Sequence, residues 1–172
     1  ISFSTLQQPQ INSFLKFPIS PSNITSLTDA NWGPQDQSIT QNSSPTQPEL
    51  PLFKSRSISG YIIWLGGPVH WSSRRQTITA RSSAEAEIYA TDECTKCILH
   101  LGHITQALEI QNTIMASPTV IYNDNNACVC WAHNLTTKGL RHIQIRENAV
   151  RESVQNNTVD MRHIAGDINL SD

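Results

Sequence analysis

Acidic residues at the ends of short apolar runs are the feature of this sequence that could do chemistry. Glu85 and Glu87 follow a Ser-Ser helix start in the stretch RSSAEAEIYA, and Asp29, Asp124 and Asp172 each end or follow an apolar run. Hard divalent cations take oxygen ligands, and phosphodiester cleavage needs charge neutralised on both sides of the scissile bond. Acids delivered from separate strand ends and one helix meet both needs, so this pattern indicates a metal-dependent nuclease.

The composition bounds the fold class and the partners. A chain of 172 residues, 38% of them hydrophobic, can bury one core and predicts one domain with some appendage. A formal net charge of -2 gives no overall basic field, so nucleic-acid binding has to rest on a local patch. There is no apolar run of membrane-spanning length and no leader-like start, so we expect a soluble, intracellular protein without a membrane partner. The first residue is Ile1 rather than Met, which suggests a piece of a larger polypeptide.

Four cysteines fall in two close pairs, Cys94 with Cys97 and Cys128 with Cys130. Zinc is the sharper interpretation of such pairs. Both pairs, however, lie in segments that are expected to be helical, and the nearby histidines do not complete a known ligand spacing. We therefore expect reduced thiols that pack in helices and hold no metal.

The first half of the chain predicts strands. Residues 1–23 are rich in Ser, Gln, Asn and Pro and are expected to be a connecting segment outside the working domain, residues 24–172. Residues 24–29 predict a short strand ending on Asp29, followed by a polar surface loop at residues 33–56. Runs of β-branched and aromatic residues, separated by turn signals, predict further antiparallel strands at residues 57–66, 69–73 and 76–81.

The second half predicts helices that alternate with strands. With Ser82 or Ser83 as N-cap, apolar residues keep helical spacing to about Leu108. The remaining expected elements are a strand at residues 118–124, a short helix over NNACVCWAH, a helix at residues 140–155 and a strand at residues 158–164. The order β-β-β-α-β-α-α-β predicts an α/β sheet with helices on its faces.

Six motifs in one order carry a family resemblance: TDANW, SGYIIWLGGPVHWSSRRQ, ARSSAEAEIYA, YNDNNA, RHIQIRENAVRE and HIAGDINLSD. Together they resemble the ribonuclease H domain of copia-type LTR retrotransposon Pol polyproteins. The resemblance implies a ribonuclease H-like fold, a mixed five-stranded sheet with three antiparallel strands and then parallel strands, flanked by helices. It implies endonucleolytic cleavage of the RNA strand of RNA–DNA hybrids during reverse transcription, beside a reverse transcriptase domain in the same polyprotein. The expected location is the cytoplasm, in a virus-like particle, or the nucleus, without secretion.

The resemblance also implies the site residue by residue. The catalytic acids and metal ligands it implies are Asp29, Glu85, Asp124 and Asp172, holding two Mg²⁺ ions that Mn²⁺ could replace. Glu85 and Glu87 stand two positions apart on a helix, so they point in different directions and cannot both aim at the same ions. We expect Glu85 to be the ligand, with Glu87 in reserve, and the acids to converge on one patch.

Substrate contacts require positive charge and polar groups near the acids. The residues predicted to bind the hybrid are Arg74, Arg75, Asn125, Asn126, Lys138 and Arg141. Trp64 and Trp71 alternate with polar neighbours, so they are expected to pack in the core rather than stack on bases.

Departures from the family pattern leave an alternative open. Asn31 stands where an acid is common, the loop at residues 33–56 is longer than usual, and the chain stops at Asp172, before the helix that normally follows. A ligand on a terminus is poorly fixed, so the alternative is a catalytically decayed or connecting ribonuclease H-like domain. A DDE-type integrase or transposase is disfavoured, because its last acid would be a Glu on a helix well after the second Asp.

Overall fold

A mixed five-stranded sheet organises the computed structural model, which describes residues 23–32, 56–110, 118–134 and 144–171. The strands are β1 (Thr25–Asn31), β2 (Ile58–Trp64), β3 (Pro68–Arg75), β4 (Thr119–Asn123) and β5 (Val159–His163). The helices are α1 (Ser83–Ala107), α2 (Asn126–His133) and α3 (Gln144–Gln155), and a short 3-10 turn follows at Gly166–Ile168. The order of strands across the sheet is β3-β2-β1-β4-β5.

Strand pairing confirms the predicted fold class. β1 pairs antiparallel with β2, and β2 with β3, while β4 lies parallel to β1 and β5 parallel to β4. Two parallel strands must be joined by a crossover segment, and α1 lies in the crossover that joins β3 to β4. Because the carboxyl ends of β1 and β4 meet at the same edge of the sheet, Asp29 and Asp124 become neighbours.

Helix α1 packs against one face of the sheet and closes the core. Ser82 caps its start by accepting a hydrogen bond from the Glu85 backbone N–H at 3.1 Å. Ile63, Ile98 and Ile121 are fully buried between α1 and the strands. Each such side chain stabilises the fold by roughly 1.5–3 kcal/mol through burial, which holds α1 firmly over β1.

The predicted strand at residues 76–81 is wrong. After Arg75 the chain leaves the sheet edge and runs towards the start of α1. Gln76 explains the departure, because its side chain is buried and donates to Ser59 Oγ at 2.9 Å and to the Ala86 carbonyl at 2.8 Å. A buried amide needs such partners, and they draw this segment under α1 rather than along β3.

The prediction that Trp71 packs in the core is also wrong, because its side chain is 68% exposed on β3, whereas Trp64 is partly buried. Within the described segments, no helix combines the length and apolar character that crossing a bilayer would require. Some predictions fall outside the described residues: nearly all of the connecting segment 1–23 and of the loop 33–56, residues 140–143 of the predicted helix, and the side chains of Lys138, Arg141 and Asp172.

Candidate active site

Three carboxylates from three elements converge at the carboxyl edge of the sheet. Asp29 lies near the end of β1, Asp124 follows β4 directly, and Glu87 lies near the start of α1. One ligand oxygen from each lies within 4.8 Å of the others, the spacing needed to hold a metal ion together. The structure thus brings Asp29 and Asp124 together, while their roles as ligands and catalysts stay predictions.

The expectation that Glu85 joins this cluster is wrong. Its carboxylate turns back to the start of α1, where it accepts from the Arg81 backbone N–H at 2.6 Å and from the Tyr89 hydroxyl at 2.9 Å. This is close to a capping box, in which a Glu three positions after the N-cap reaches back to a free backbone N–H. The spacing Ser82-x-x-Glu85 is the sequence signal that could have assigned Glu85 to the helix start.

Glu87 takes the place expected for Glu85. It lies in phase with Thr91, Cys94 and Ile98, which are all fully buried against the sheet. Residues at i, i+4, i+7 and i+11 share one helix face, so Glu87 points towards the strand ends. This spacing is visible in the sequence and could have assigned Glu87, rather than Glu85, to the buried face of the helix.

The Glu87 carboxylate is buried and held by two hydrogen bonds. The Ala30 backbone N–H donates to Oε1 at 3.2 Å, and Asn123 Nδ2 donates to Oε2 at 2.9 Å. Burial raises the pKa of Glu87 to about 8, and the charges of Asp29 and Asp124 add to this rise, while the bond from Asn123 opposes it. At neutral pH the site therefore favours a bound positive charge, either a proton or a cation.

The carboxylates open onto a cleft of about 430 Å³. It is lined by Asp29, Ala30, Asn31, Trp32, Ser83, Glu87, Asp124 and Asn125. The Trp32 side chain is 52% exposed at the rim, and its Nε1 donates to the Ala80 carbonyl at 3.3 Å. The acids can therefore be reached from outside and stand beside an aromatic surface.

Sequence comparison relates the chain to retrotransposon polyproteins, although no protein-family model matches it. It is 30% identical over 118 residues to the retrovirus-related Pol polyprotein from transposon RE2 of Arabidopsis thaliana, covering 67% of this chain and 8% of that protein. It is 31% identical over 153 residues to the corresponding RE1 polyprotein of the same plant, covering 87% of this chain and 9% of that protein. The chain therefore spans less than a tenth of these relatives.

Solved structures supply the fold. LC11-RNase H1, isolated from compost by a metagenomic approach, matches with a TM-score of 0.54 at 14% identity, covering 86% of this chain and 88% of that one. The protease–reverse transcriptase of prototype foamy virus matches with a TM-score of 0.51 at 17% identity, covering 93% of this chain and 19% of that one. The chain has the ribonuclease H-like fold and is related in sequence to retrotransposon Pol polyproteins. LC11-RNase H1 has also been solved in complex with an RNA/DNA hybrid.

In this ribonuclease H-like domain the last described segment returns to the site. Asn169 Nδ2 donates to the Thr28 carbonyl at 3.0 Å, which fixes the segment beside β1. Gly166 allows a close approach, since a Cβ there would lie 3.1 Å from Asp124 Oδ2. Ser171 lines a depression together with Asp29. The role of Asp172, which lies beyond the described residues, stays a prediction that this placement supports.

The predicted substrate contacts of the ribonuclease H-like domain fall in different places. Asn125 lines the cleft and caps α2, its Oδ1 accepting from the Cys128 backbone N–H at 3.1 Å. Asn126 is exposed on the first turn of α2. Arg74 lies on β3 and is paired with Glu93 at 3.0 Å. Arg75 ends the same strand, exposed.

All four thiols of the domain are free. Cys94 and Cys128 are buried in the core, and burial raises the pKa of each to about 12, which disfavours the thiolate that zinc requires. Cys97 is partly buried against the Tyr61 hydroxyl at 3.0 Å, and Cys130 is exposed. The absence of a metal at these residues stays a prediction.

Proposed function

We propose that this domain cuts the RNA strand of RNA–DNA hybrids by a cation-dependent endonucleolytic reaction during copia-type retrotransposon reverse transcription. The observation that carries the proposal is the convergence of Asp29, Glu87 and Asp124 at an open cleft. The complex of the structurally similar LC11-RNase H1 with an RNA/DNA hybrid supports the substrate class.

The donor set fits a hard divalent cation. Three carboxylates offer oxygen ligands, with no sulfur or imidazole among them, which suits Mg²⁺ or Mn²⁺. We propose two ions, with Asp172 as a further ligand. When bound, such ions would activate a water for in-line attack and stabilise the leaving oxygen.

The residues of the chain orient this chemistry. Asp29 lies on β1 and Asp124 directly follows β4, the strand paired with β1, and Glu87 accepts a hydrogen bond at each oxygen. The three carboxyl groups are thereby held close together. Trp32 offers an exposed ring on which a base or sugar could pack. The helical acid comes from α1, before Asp124 in the chain, which favours this proposal over an integrase or transposase.

We further propose that the domain works beside a reverse transcriptase domain in one polyprotein. The Pol relatives and the similarity to a viral protease–reverse transcriptase support this partner. Such a polyprotein would place the domain in a cytoplasmic virus-like particle or in the nucleus.

A cleavage assay tests the proposed function. End-labelled RNA is supplied as an RNA–DNA hybrid, as single strands and as duplex RNA, with Mg²⁺, with Mn²⁺ or with EDTA. We expect cuts only in the hybrid and only with a cation. Asp124→Asn removes a charged ligand and is expected to lower the rate by about a thousandfold or more, because several kcal/mol of transition-state stabilisation are lost.

Binding without cleavage would give the opposite answer. If the protein retains hybrid in a gel-shift assay but never cuts it with either cation, the catalytically decayed alternative is correct.

A further inference from the structure

We propose that Asn123 is a positioning residue that orients the Glu87 carboxylate and thereby sets the affinity of the acidic cluster for divalent cations. This inference rests on the proposed function for its biological meaning. Its geometric basis is a buried hydrogen-bond network that lies under the three acids.

Asn123 uses each of its polar groups inside the protein. It is the last residue of β4 and is fully buried. Its Nδ2 donates to Glu87 Oε2 and to Thr28 Oγ1, both at 2.9 Å, and its Oδ1 accepts from the Asn125 backbone N–H at 2.8 Å. A primary amide has two N–H donors, so both are engaged.

This network admits only one orientation of the amide. If the group were flipped, Oδ1 would face the Glu87 carboxylate, and Nδ2 would face the Asn125 N–H, which is also a donor. The nitrogen therefore points to Glu87. Because the amide does not titrate, it offers this donor at every pH at which the protein is folded.

Asn123 links the three elements that carry the acids. Thr28 immediately precedes Asp29 on β1, Glu87 projects from α1, and Asn123 itself precedes Asp124. One side chain thus connects the end of β1, the end of β4 and the start of α1.

The bond matters because Glu87 has little other restraint on its plane. Each of its oxygens accepts one hydrogen bond, Oε1 from the Ala30 backbone and Oε2 from Asn123. With Asn123 removed, the carboxylate keeps only the Ala30 contact and can rotate away from Asp29 and Asp124. Loss of an outer partner of a metal ligand typically lowers metal affinity by about 10- to 100-fold.

A Mn²⁺ titration by calorimetry, with no nucleic acid present, tests the proposal. Asn123→Ala is expected to raise the Mn²⁺ dissociation constant by about tenfold or more. Thr28→Val is the matched control: it removes the hydroxyl that accepts from the same Nδ2 group, at a position equally buried, and leaves the Glu87 bond and the longer contact to the Thr28 carbonyl, at 3.5 Å, in place. We expect this control to bind Mn²⁺ within about twofold of wild type while showing a similar loss of thermal stability.

A double-mutant cycle separates positioning from a general effect on the fold. In an E87Q background, Asn123→Ala should change the Mn²⁺ dissociation constant by less than about twofold, because its effect acts through the Glu87 carboxylate. An equal effect of Asn123→Ala in the wild-type and E87Q backgrounds overturns the proposal. Unchanged Mn²⁺ affinity of the Asn123→Ala single variant, or absence of Mn²⁺ binding by wild type, overturns it as well. If Asn123→Ala does not fold, Asn123→Ser serves in its place, since the shorter side chain cannot reach Glu87.

The outcome is independent of the cleavage assay. A wild type that binds Mn²⁺ but never cuts hybrid refutes the proposed function and leaves the positioning role intact. A wild type that cuts hybrid, with an Asn123→Ala variant that binds Mn²⁺ normally, supports the proposed function and overturns the positioning role of Asn123.

Discussion

Gly60 packs directly under the backbone carbonyl of Ser171. It stands on β2 opposite Asp29 in the strand register, so the contact seats the last described segment beside that acid. A Cβ at residue 60 would overlap the Ser171 oxygen well inside van der Waals contact. A residue without a side chain is therefore required where this segment crosses β2.

Gly60→Ala should displace the segment from the sheet. Overpacking of this kind costs about 1–3 kcal/mol, and we expect a lower melting temperature together with faster hydrogen exchange at Asn169 and Ser171. Gly67→Ala is the matched control, because a Cβ there meets nothing within 4 Å. Equal behaviour of the two alanine variants would show that the contact has no structural role.

Glu87→Gln and Glu85→Gln should separate the two acids of α1. We expect the first change to lower hybrid cleavage by about a thousandfold or more, since it removes a charge from the cluster. The second change should leave the rate within about threefold and lower stability by up to about 1 kcal/mol, because Glu85 serves the helix start. A larger loss of cleavage for Glu85→Gln would restore Glu85 as the catalytic acid.

Stability without cations should depend on pH through Glu87. The pKa of Glu87 is raised from 4.5 to about 8 in the folded protein, chiefly by burial. Between these pH values the folded state holds a proton on Glu87 that the unfolded state has lost. The contribution of this protonation to the stability of the folded state is complete below pH 4.5 and disappears as pH rises to about 8. Urea unfolding in EDTA should therefore show wild type losing stability relative to Glu87→Gln over this range.

Added Mg²⁺ or Mn²⁺ should reverse that trend, because a cation replaces the proton on the folded state alone. Parallel pH profiles for wild type and Glu87→Gln in EDTA would contradict the raised pKa.

Trp32 should contribute to hybrid binding and not to cation binding. It lines the cleft with a ring that is 52% exposed, and stacking on a base is worth about 1–3 kcal/mol. Trp32→Ala should weaken hybrid binding by about tenfold, measured by fluorescence anisotropy, and Trp32→Phe by much less. Leu108→Ala is the control, because Leu108 is exposed and caps the end of α1 that lies away from this cleft. Equal losses for Trp32→Ala and Leu108→Ala would indicate a non-specific effect of removing exposed apolar surface.

The sequence by itself determined most of the described elements, with ends correct to within a few residues, although the strand predicted at residues 76–81 is absent. Apolar runs closed by turn residues located β1, β4 and β5, and the serines before helical spacing located the start of α1 at Ser82 or Ser83, of which Ser82 is the cap. These signals are local, because each depends on neighbours within one element. Asp29 and Asp124 could be picked out for the same reason, since a strand end is a local feature and two parallel strands bring their ends to one edge.

The tertiary structure alone decided which polar side chains meet across elements. Side chains two positions apart on a helix point in directions that differ by about 200°. The choice between Glu85 and Glu87 therefore depended on the face that α1 presents to the sheet. The same holds for Gln76, which left the predicted strand because Ser59 and Ala86 offer buried partners. Asn123 belongs to this class too: its bond to Glu87 joins residues 36 positions apart, which no local pattern could have placed side by side.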